Sequence, residues 1–499
     1  MLTRGCLAIY SQRVLPACIH CAAQANHRPY MASYMTRPLR RRDQFGYGAI
    51  DLGIAAVESL VQLYLLKFYH DVMGLPSMWV GIALAIAILW DAVSDPVMGG
   101  ISDRTRHAQG RRRPYFLPGA LLMALSFALI FNPPSLGNGA LSFAYLLATF
   151  ILLNTAMTIV SVPHAALGGE MSFDRHERSA LFGFKRLFAT LGALLGLVLP
   201  ALLLNYWNAG EGADWVARSR SATSWLLAPV IMVTAWVSYR ATKGLDRPHL
   251  EGERLRVNQV WQLFAEQRFA LRNPLFLVLA IAFVVAAVGR TLNASIALYY
   301  YEYYLQLSER VAVGAILLPF FVCFIASVPI WVWLGRRWGK KKAALSGVLA
   351  LGLSTAVVYP LFVPGQLFWP VVYSLVGGAL AGAIVLLDSL VADSIDYDRL
   401  RSHREREGLY FGVWKMSTKI SRALGLALAG LLLDLIGFDE GAATVAPETS
   451  ESLALVFGPV VGLCFIAAGC LLWCMPLDDA LHERIQRLLR RRESKKPHL

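Results

Sequence analysis

Trp90-Asp91-Ala92-Val93-Ser94-Asp95-Pro96 sets two acidic side chains into an otherwise apolar segment. The run around it, from Met78 to Ile101, can cross a bilayer, which takes about 20 residues at a rise of ~1.5 Å each. An ionised side chain at membrane depth costs roughly 2.5–3.5 kcal/mol on insertion scales, so two of them argue for a purpose. Asp91 and Asp95 are spaced i and i+4, with Ser94 at i+3, so both carboxylates and a hydroxyl share one helix face. Like charges so placed repel each other unless a cation or a shared proton lies between them. Pro96 removes a backbone donor and bends the helix beside the same spot. The pattern is that of a cation site in a membrane.

The rest of the chain agrees. Of 499 residues, 56% are hydrophobic and 16% charged, against roughly 45–50% and 25% in ordinary soluble domains. Lys+Arg 47 against Asp+Glu 33 gives a net charge of +14, which in a soluble chain would suggest nucleic acid as a partner. Here the basic residues cluster between apolar runs, as the positive-inside rule describes, so nucleic acid is a poor explanation of the charge and is not an expected partner. About twelve runs reach spanning length. They are Tyr47–Tyr69, Met78–Ile101, Tyr115–Phe131, Leu141–Ala166, Ser179–Leu204 and Ala222–Ser238, then Leu275–Tyr301, Val311–Leu334, Ala343–Phe362, Trp369–Leu390, Gly408–Ile436 and Leu453–Met475. The fold class expected is an all-α membrane protein of two six-helix bundles, 43–239 and 274–476. A basic, disordered extension (1–42), a linker (240–273) and a basic tail (477–499) complete the chain. Both termini and the linker are expected in the cytoplasm, since Arg37–Arg42, Arg104–Arg113, Arg336–Lys342 and Arg399–Arg406 alternate with basic-poor connections. Arg218 and Arg220 fall on the other side and break the pattern.

The two halves repeat each other. Glu177-Arg178-Ser179-Ala180-Leu181-Phe182-Gly183-Phe184-Lys185-Arg186 is similar to Glu405-Arg406-Glu407-Gly408-Leu409-Tyr410-Phe411-Gly412-Val413-Trp414-Lys415, with one residue inserted. Likewise the basic run Asp103–Arg113 follows the second span of the first half, and Gly335–Lys342 the second span of the second. A parallel repeat of six helices implies alternating access, with the site between the halves near the midplane.

These residues carry a family resemblance. Phe68-Tyr69-His70-Asp71-Val72-Met73-Gly74-Leu75, the Trp90–Pro96 stretch and Arg113-Pro114 resemble the glycoside–pentoside–hexuronide:cation symporters of the major facilitator superfamily. Val162-Pro163-His164-Ala165-Ala166-Leu167-Gly168-Gly169-Glu170 resembles that family's connection from helix four to helix five. Asp393-Ser394-Ile395-Asp396-Tyr397, Arg406–Tyr410 and Lys419 resemble its second-half signature. The resemblance runs from about Phe45 to Leu477 and implies a twelve-helix major facilitator fold in the inner membrane of a cell. It also implies cation-coupled symport of a glycoside or sugar, with Na⁺ or H⁺ as coupling ion and no other cofactor or metal. Carried over by position, Asp91, Ser94, Asp95 and Thr158 would bind the cation, Arg186 matches a substrate-site arginine and Lys419 a functional lysine. Two carboxylates that grip a galactoside in melibiose permease, the family's best-known type, align with Ala55 and Ser161 here. Asp51 and Glu58 lie one turn either side of Ala55.

The remaining polar residues extend this reading. Lys415, Lys419 and Arg422 form a basic stripe at i, i+4 and i+7, and Arg290 and Asn293 interrupt the seventh span. With Arg186 they suggest an anionic substrate such as a hexuronide, clamped through its carboxylate. The plainer alternative pairs Lys419 and Arg186 with Asp91 and Asp95 between helices. The substrate candidates are thus Arg186, Lys415, Lys419, Ser161, Glu58 and Asp51. Asp388 reads either as a functional acid or as a helix-end pair. Tyr299-Tyr300-Tyr301-Glu302-Tyr303-Tyr304 reads as an aromatic belt at the membrane interface, ahead of a surface that stacks on a sugar ring. Cys18-Ile19-His20-Cys21 has no second pair and is not expected to hold zinc; Cys323, Cys464, Cys470 and Cys474 read as small buried apolar groups. The acid-free first 42 residues look like a transit peptide in composition alone, and synthesis starting at Met31 or Met35 is the simpler account. A lysophospholipid-like substrate and a non-transporting membrane sensor are the alternative functions; no enzyme is expected, since no catalytic constellation stands out. The partners expected are a small sugar or glycoside, a monovalent cation and the lipid bilayer, around a monomer.

Overall fold

The computed structural model describes residues 39–476 except 136, 138, 173–174, 207–212, 247–268, 403–406 and 439–445, and adds 484–485 and 487–488. The readings made of the first 38 residues, of most of the linker and of the basic tail fall outside the described residues.

Twelve helices among the described residues are long and apolar enough to cross a membrane. In chain order they are α1 (Arg41–Val72), α2 (Ser77–Arg104), α3 (Arg113–Ile130), α4 (Gly139–Met171), α5 (Ala180–Tyr206) and α6 (Asp214–Ala241). The second set is α7 (Pro274–Tyr304), α8 (Glu309–Trp338), α9 (Lys340–Leu361), α10 (Phe368–Arg401), α11 (Leu409–Leu435) and α12 (Pro447–Cys474). Several run past the apolar stretches that mark them: α4 continues beyond Ala166 to Met171 and α10 beyond Leu390 to Arg401. A backbone deprived of water keeps its internal hydrogen bonds wherever it can, so helices outlast the hydropathy signal at their polar ends. Pro96 lies inside an unbroken α2.

Small residues set the helix spacing. A side chain at Gly192 or Gly196 of α5 would come 2.1 Å from the Leu52 carbonyl oxygen or 2.2 Å from that of Ala56, both on α1. Such bare surfaces let helices approach closely where lipid supplies no hydrophobic drive for association. α1 lies along α5, and between the halves α2 lies along α11, α1 along α7, and α5 against α8.

The internal repeat has matching bonds. The Arg111-Arg112 loop after α2 is tied to Glu170 near the end of α4, with Arg112 Nη2 at 2.9 Å. In the second half Lys340 after α8 reaches Asp393 near the end of α10 at 2.7 Å. α1 and α7 both finish in a single π-helical turn, Phe68–Val72 and Tyr300–Tyr304.

The largest cluster of buried apolar residues passes through both halves, from Ile50 to Ala468. Nearer the linker the cores separate: Ala270 to Ile485 belong to the second half alone, and Leu39, Tyr47 and Leu181 to the first. At the opposite end charged residues bind the halves together. Lys67 of α1 meets Glu302 of α7 at 2.9 Å, and the Tyr303 hydroxyl donates to Asp71 at 3.2 Å. Arg220 of α6, buried at 1% exposure over the Tyr64 ring, pairs with Glu309 of α8. The break that Arg220 makes in the basic pattern is therefore a buried contact between halves. The structure is closed at the end away from the linker.

Two expectations are corrected. Tyr299, Tyr300 and Tyr301 do not form an interfacial belt; they are at most 3% exposed and pack against Phe438, Phe457 and Tyr359. Consecutive side chains point about 100° apart on a helix, so such a run cannot all face one surface. Cys470 and Cys474 are exposed on α12, and Cys323 and Cys464 are half-buried, rather than buried as small apolar groups.

Candidate functional site

The two acidic residues of α2 and their neighbours form one compact polar cluster between the halves. Lys419 of α11 extends its ammonium between the carboxylates, 2.7 Å from Asp91 Oδ2 and 2.6 Å from Asp95 Oδ2. It also donates to the Asp91 carbonyl oxygen at 3.1 Å, so each of its three N–H bonds has an oxygen to meet. Lys415, one turn earlier, reaches Asp95 Oδ2 at 2.9 Å. From α4 the Thr158 hydroxyl sits within donating distance of Asp91 Oδ1 and, at 3.1 Å, of Asp95 Oδ1. Ser94 Oγ lies 3.3 Å from Thr158 Oγ1 and 3.2 Å from the Asp91 carbonyl oxygen. Trp90 Nε1 donates to Thr155 Oγ1 at 3.0 Å and fixes α2 against α4.

Two carboxylates and two ammonium groups make the cluster neutral, which is what a dry environment demands. The oxygens around Lys419 Nζ belong to carboxylates, a carbonyl and nearby hydroxyls, the donor set a hard cation prefers. An ammonium and such a cation cannot occupy that space together. Lys419 is only 16% exposed at its side chain, whereas Lys415 is 61% exposed. Lys419 is thus the inner member of the pair, and Lys415 reaches in from open space.

The other sequence candidates divide into two groups. Arg186, Arg290, Asp388 and Glu58 are exposed although they belong to membrane-spanning helices, and Ser161 is half-buried on α4 close to Thr158. Charged side chains exposed at membrane depth face a water-filled cavity rather than lipid. The charges acting on Arg290 are Arg422, Arg186 and Asp388, so three guanidinium groups share a region with one carboxylate. Asp388 accepts a hydrogen bond from Trp414 Nε1 at 2.9 Å, and Arg422 Nε is buried with no hydrogen-bond partner among the described residues. Asp51 stands apart: it is buried, 3.6 Å from Lys185 Nζ and 3.6 Å from His164 Nδ1. The structure therefore pairs Lys415 and Lys419 with the acids of α2 and leaves the arginines as the unbalanced charge.

Sequence reasoning overlooked His164 and Lys185, quoted above only as parts of motifs, and the Lys67–Glu302 contact. An ionisable side chain within a spanning run was the available signal for each.

Comparison with known proteins places the chain. It matches the family described as MFS/sugar transport protein over residues 46–479 and belongs to that family. It is similar to the isoprimeverose transporter of Lactiplantibacillus pentosus, with 24% identity over 425 residues, 84% of this chain and 86% of the other. It is also similar to a proposed sulfoquinovose importer of Salmonella typhimurium, with 26% identity over 462 residues, 89% and 90% of the two chains. Among solved structures, a bacterial homologue of the human lysosomal transporter Spinster superposes with a TM-score of 0.64 at 12% identity, covering 89% of this chain and all of that one. That likeness shows the fold, a major facilitator arrangement of two six-helix halves. The protein is a multi-pass membrane transporter.

Proposed function

We propose that this chain is a symporter that moves a glycoside or sugar together with a monovalent cation by alternating access. The observation that carries the reading is the Lys419 ammonium lodged between Asp91 and Asp95, with Thr158 and Ser94 beside it. Family membership supports sugar as the cargo, and the names of its relatives support a small glycoside. Na⁺ or H⁺ takes the place of the ammonium during the cycle, and exchanging one positive charge for another keeps the cluster neutral. The substrate binds between the halves, where Arg186, Arg290 and Arg422 outnumber Asp388. A guanidinium forms paired hydrogen bonds to a planar carboxylate, so this excess favours an anionic glycoside such as a hexuronide over a neutral one. Glu58, exposed on α1, and Ser161, half-buried on α4, would meet sugar hydroxyls in this reading. The basic loops favour a cytoplasmic side for both termini and the linker, and on that reading the closed end is the outer one.

The test is uptake of labelled glycosides and their uronide counterparts into proteoliposomes, with and without a Na⁺ or pH gradient. Asp91→Cys and Asp95→Cys should each abolish gradient-driven accumulation while some substrate binding survives. Uphill transport retained by both variants would remove the cation from this site. Competition between a glucoside and a glucuronide reads substrate charge: wild type should favour the glucuronide, and Arg186→Gln should lose most of that preference.

A further inference from the structure

A second group of ionisable residues, unused by the transport site, lies where α1, α4 and α5 meet. His164 is 0% exposed on α4, and its Nε2 lies 2.9 Å from the Tyr47 carbonyl oxygen. A carbonyl only accepts, so Nε2 carries the hydrogen. The ring is held there on every side: it stacks on Tyr47 at 4.1 Å between centroids and meets the Phe116 edge from α3 at 5.6 Å. The Tyr47 hydroxyl donates back to the His164 carbonyl oxygen at 3.1 Å.

With Nε2 protonated, Nδ1 of the neutral ring offers a lone pair. It faces Asp51 Oδ2 at 3.6 Å, and both atoms are shut from solvent with no hydrogen-bond partner among the described residues. Two acceptors facing each other in a dry pocket are satisfied only when a proton lies between them, on Oδ2 or on Nδ1. The second oxygen of Asp51 faces Lys185 Nζ on α5 at 3.6 Å, again beyond hydrogen-bond length. Two further charges act here, Glu58 on Asp51 and Arg112 on Tyr47. α3 contributes Phe116 and α6 contributes Ser238, whose hydroxyl donates to the Tyr47 carbonyl, and neither is ionisable.

We propose that Asp51 and His164 bind one proton at a site separate from the Asp91–Asp95 pair, with Lys185 as the competing positive charge. When the proton is present, the acid and imidazole are neutral together and Lys185 stands unbalanced. When it leaves, Asp51 is a carboxylate and Lys185 closes onto it. Lys185 is 27% exposed at its side chain, so the path to water runs along its side of the pocket. It precedes the cavity residue Arg186 on α5, and His164 follows Thr158 by six residues on α4, about 9 Å along the helix. Proton binding thereby acts on the seating of α5 against α1 and is linked to occupancy of the cation site, as any two sites that bias one conformational equilibrium must be. The inference goes beyond the symport reading and does not require it.

The experiment uses the full chain in nanodiscs with ¹⁵N-labelled histidine. The His164 signal is the one lost in His164→Gln, a variant whose amide still donates to the Tyr47 carbonyl. Between about pH 5 and about pH 9, Nε2 should stay protonated while Nδ1 passes through one titration step. Asp51→Asn, which removes the carboxylate that shares the proton, should abolish this step or move it to lower pH. Lys185→Met removes a positive competitor and should raise the step by about one pH unit, tenfold in proton affinity. A His164 signal that ignores pH, or one that titrates identically in Asp51→Asn, overturns the proposal; so does a step that disappears when Na⁺ is raised. Because no transport is measured, failure here is distinct from failure of Asp91→Cys to abolish uptake.

Discussion

Lys419 satisfies all three of its ammonium hydrogens on the oxygens that a coupling ion would need. It is therefore a resident competitor, and its removal has a signed consequence. Lys419→Gln should raise the apparent affinity for the coupling cation by roughly tenfold, which corresponds to about 1.4 kcal/mol of lost competition. Thermal stability of the purified protein against cation concentration would read this out; equal or weaker cation affinity in the variant would mean that Lys419 supports the site instead of blocking it. Lys415 is too exposed to substitute fully. Much of this cluster is legible in the sequence, because Asp91 and Asp95 interrupt an apolar run and Lys419 repeats the basic stripe of Lys415 at one helical turn. The meeting of Asp51 with His164 is not legible. It joins residues far apart in the chain, and it depends on which nitrogen of the imidazole faces the acid.

Helices carry the next level of control, and here glycine spacing matters more than hydropathy. Gly192 and Gly196 stand one turn apart on α5 and touch the backbone of α1, whereas Gly183 on the same helix has nothing within 4 Å of the place a side chain would start. Gly196→Leu should destabilise the protein by about 1–3 kcal/mol through overpacking, and Gly183→Ala should stabilise it by about 0.5–1 kcal/mol through helix propensity. Melting of both variants in detergent checks the contrast; equal effects would mean that the α1–α5 contact is loose. The positions of all twelve spans can be read from apolar run length, since the bilayer demands it. The burial of Tyr299 to Tyr301 cannot, because an aromatic run beside an interface has the same composition whether it turns toward lipid or toward Phe438 and Phe457.

The whole molecule is held in its closed-end state by charges that cross between the halves. Arg220 and Glu309 are both nearly enclosed, with 2% and 8% of their side chains exposed, while Lys67 and Glu302 meet nearer the rim. Taking one partner from a buried ion pair leaves an uncompensated charge and costs about 3–5 kcal/mol, whereas replacing both with apolar groups of similar volume is often neutral. The cost falls on the closed state alone if opening that end exposes Arg220 to water, so the two classes of variant should differ in conformation as well as stability. Glu309→Leu alone should shift the population strongly toward separation at this end. Arg220→Met combined with Glu309→Leu should restore most of the closed population, because the continuous apolar core that joins the halves remains. Distances between spin labels placed at the ends of α1 and α7 away from the linker would measure both. If the single variant leaves those distances unchanged, the apolar core rather than the ion pair holds the end shut, and the energy that drives alternation must be sought at Lys419 and the acids of α2.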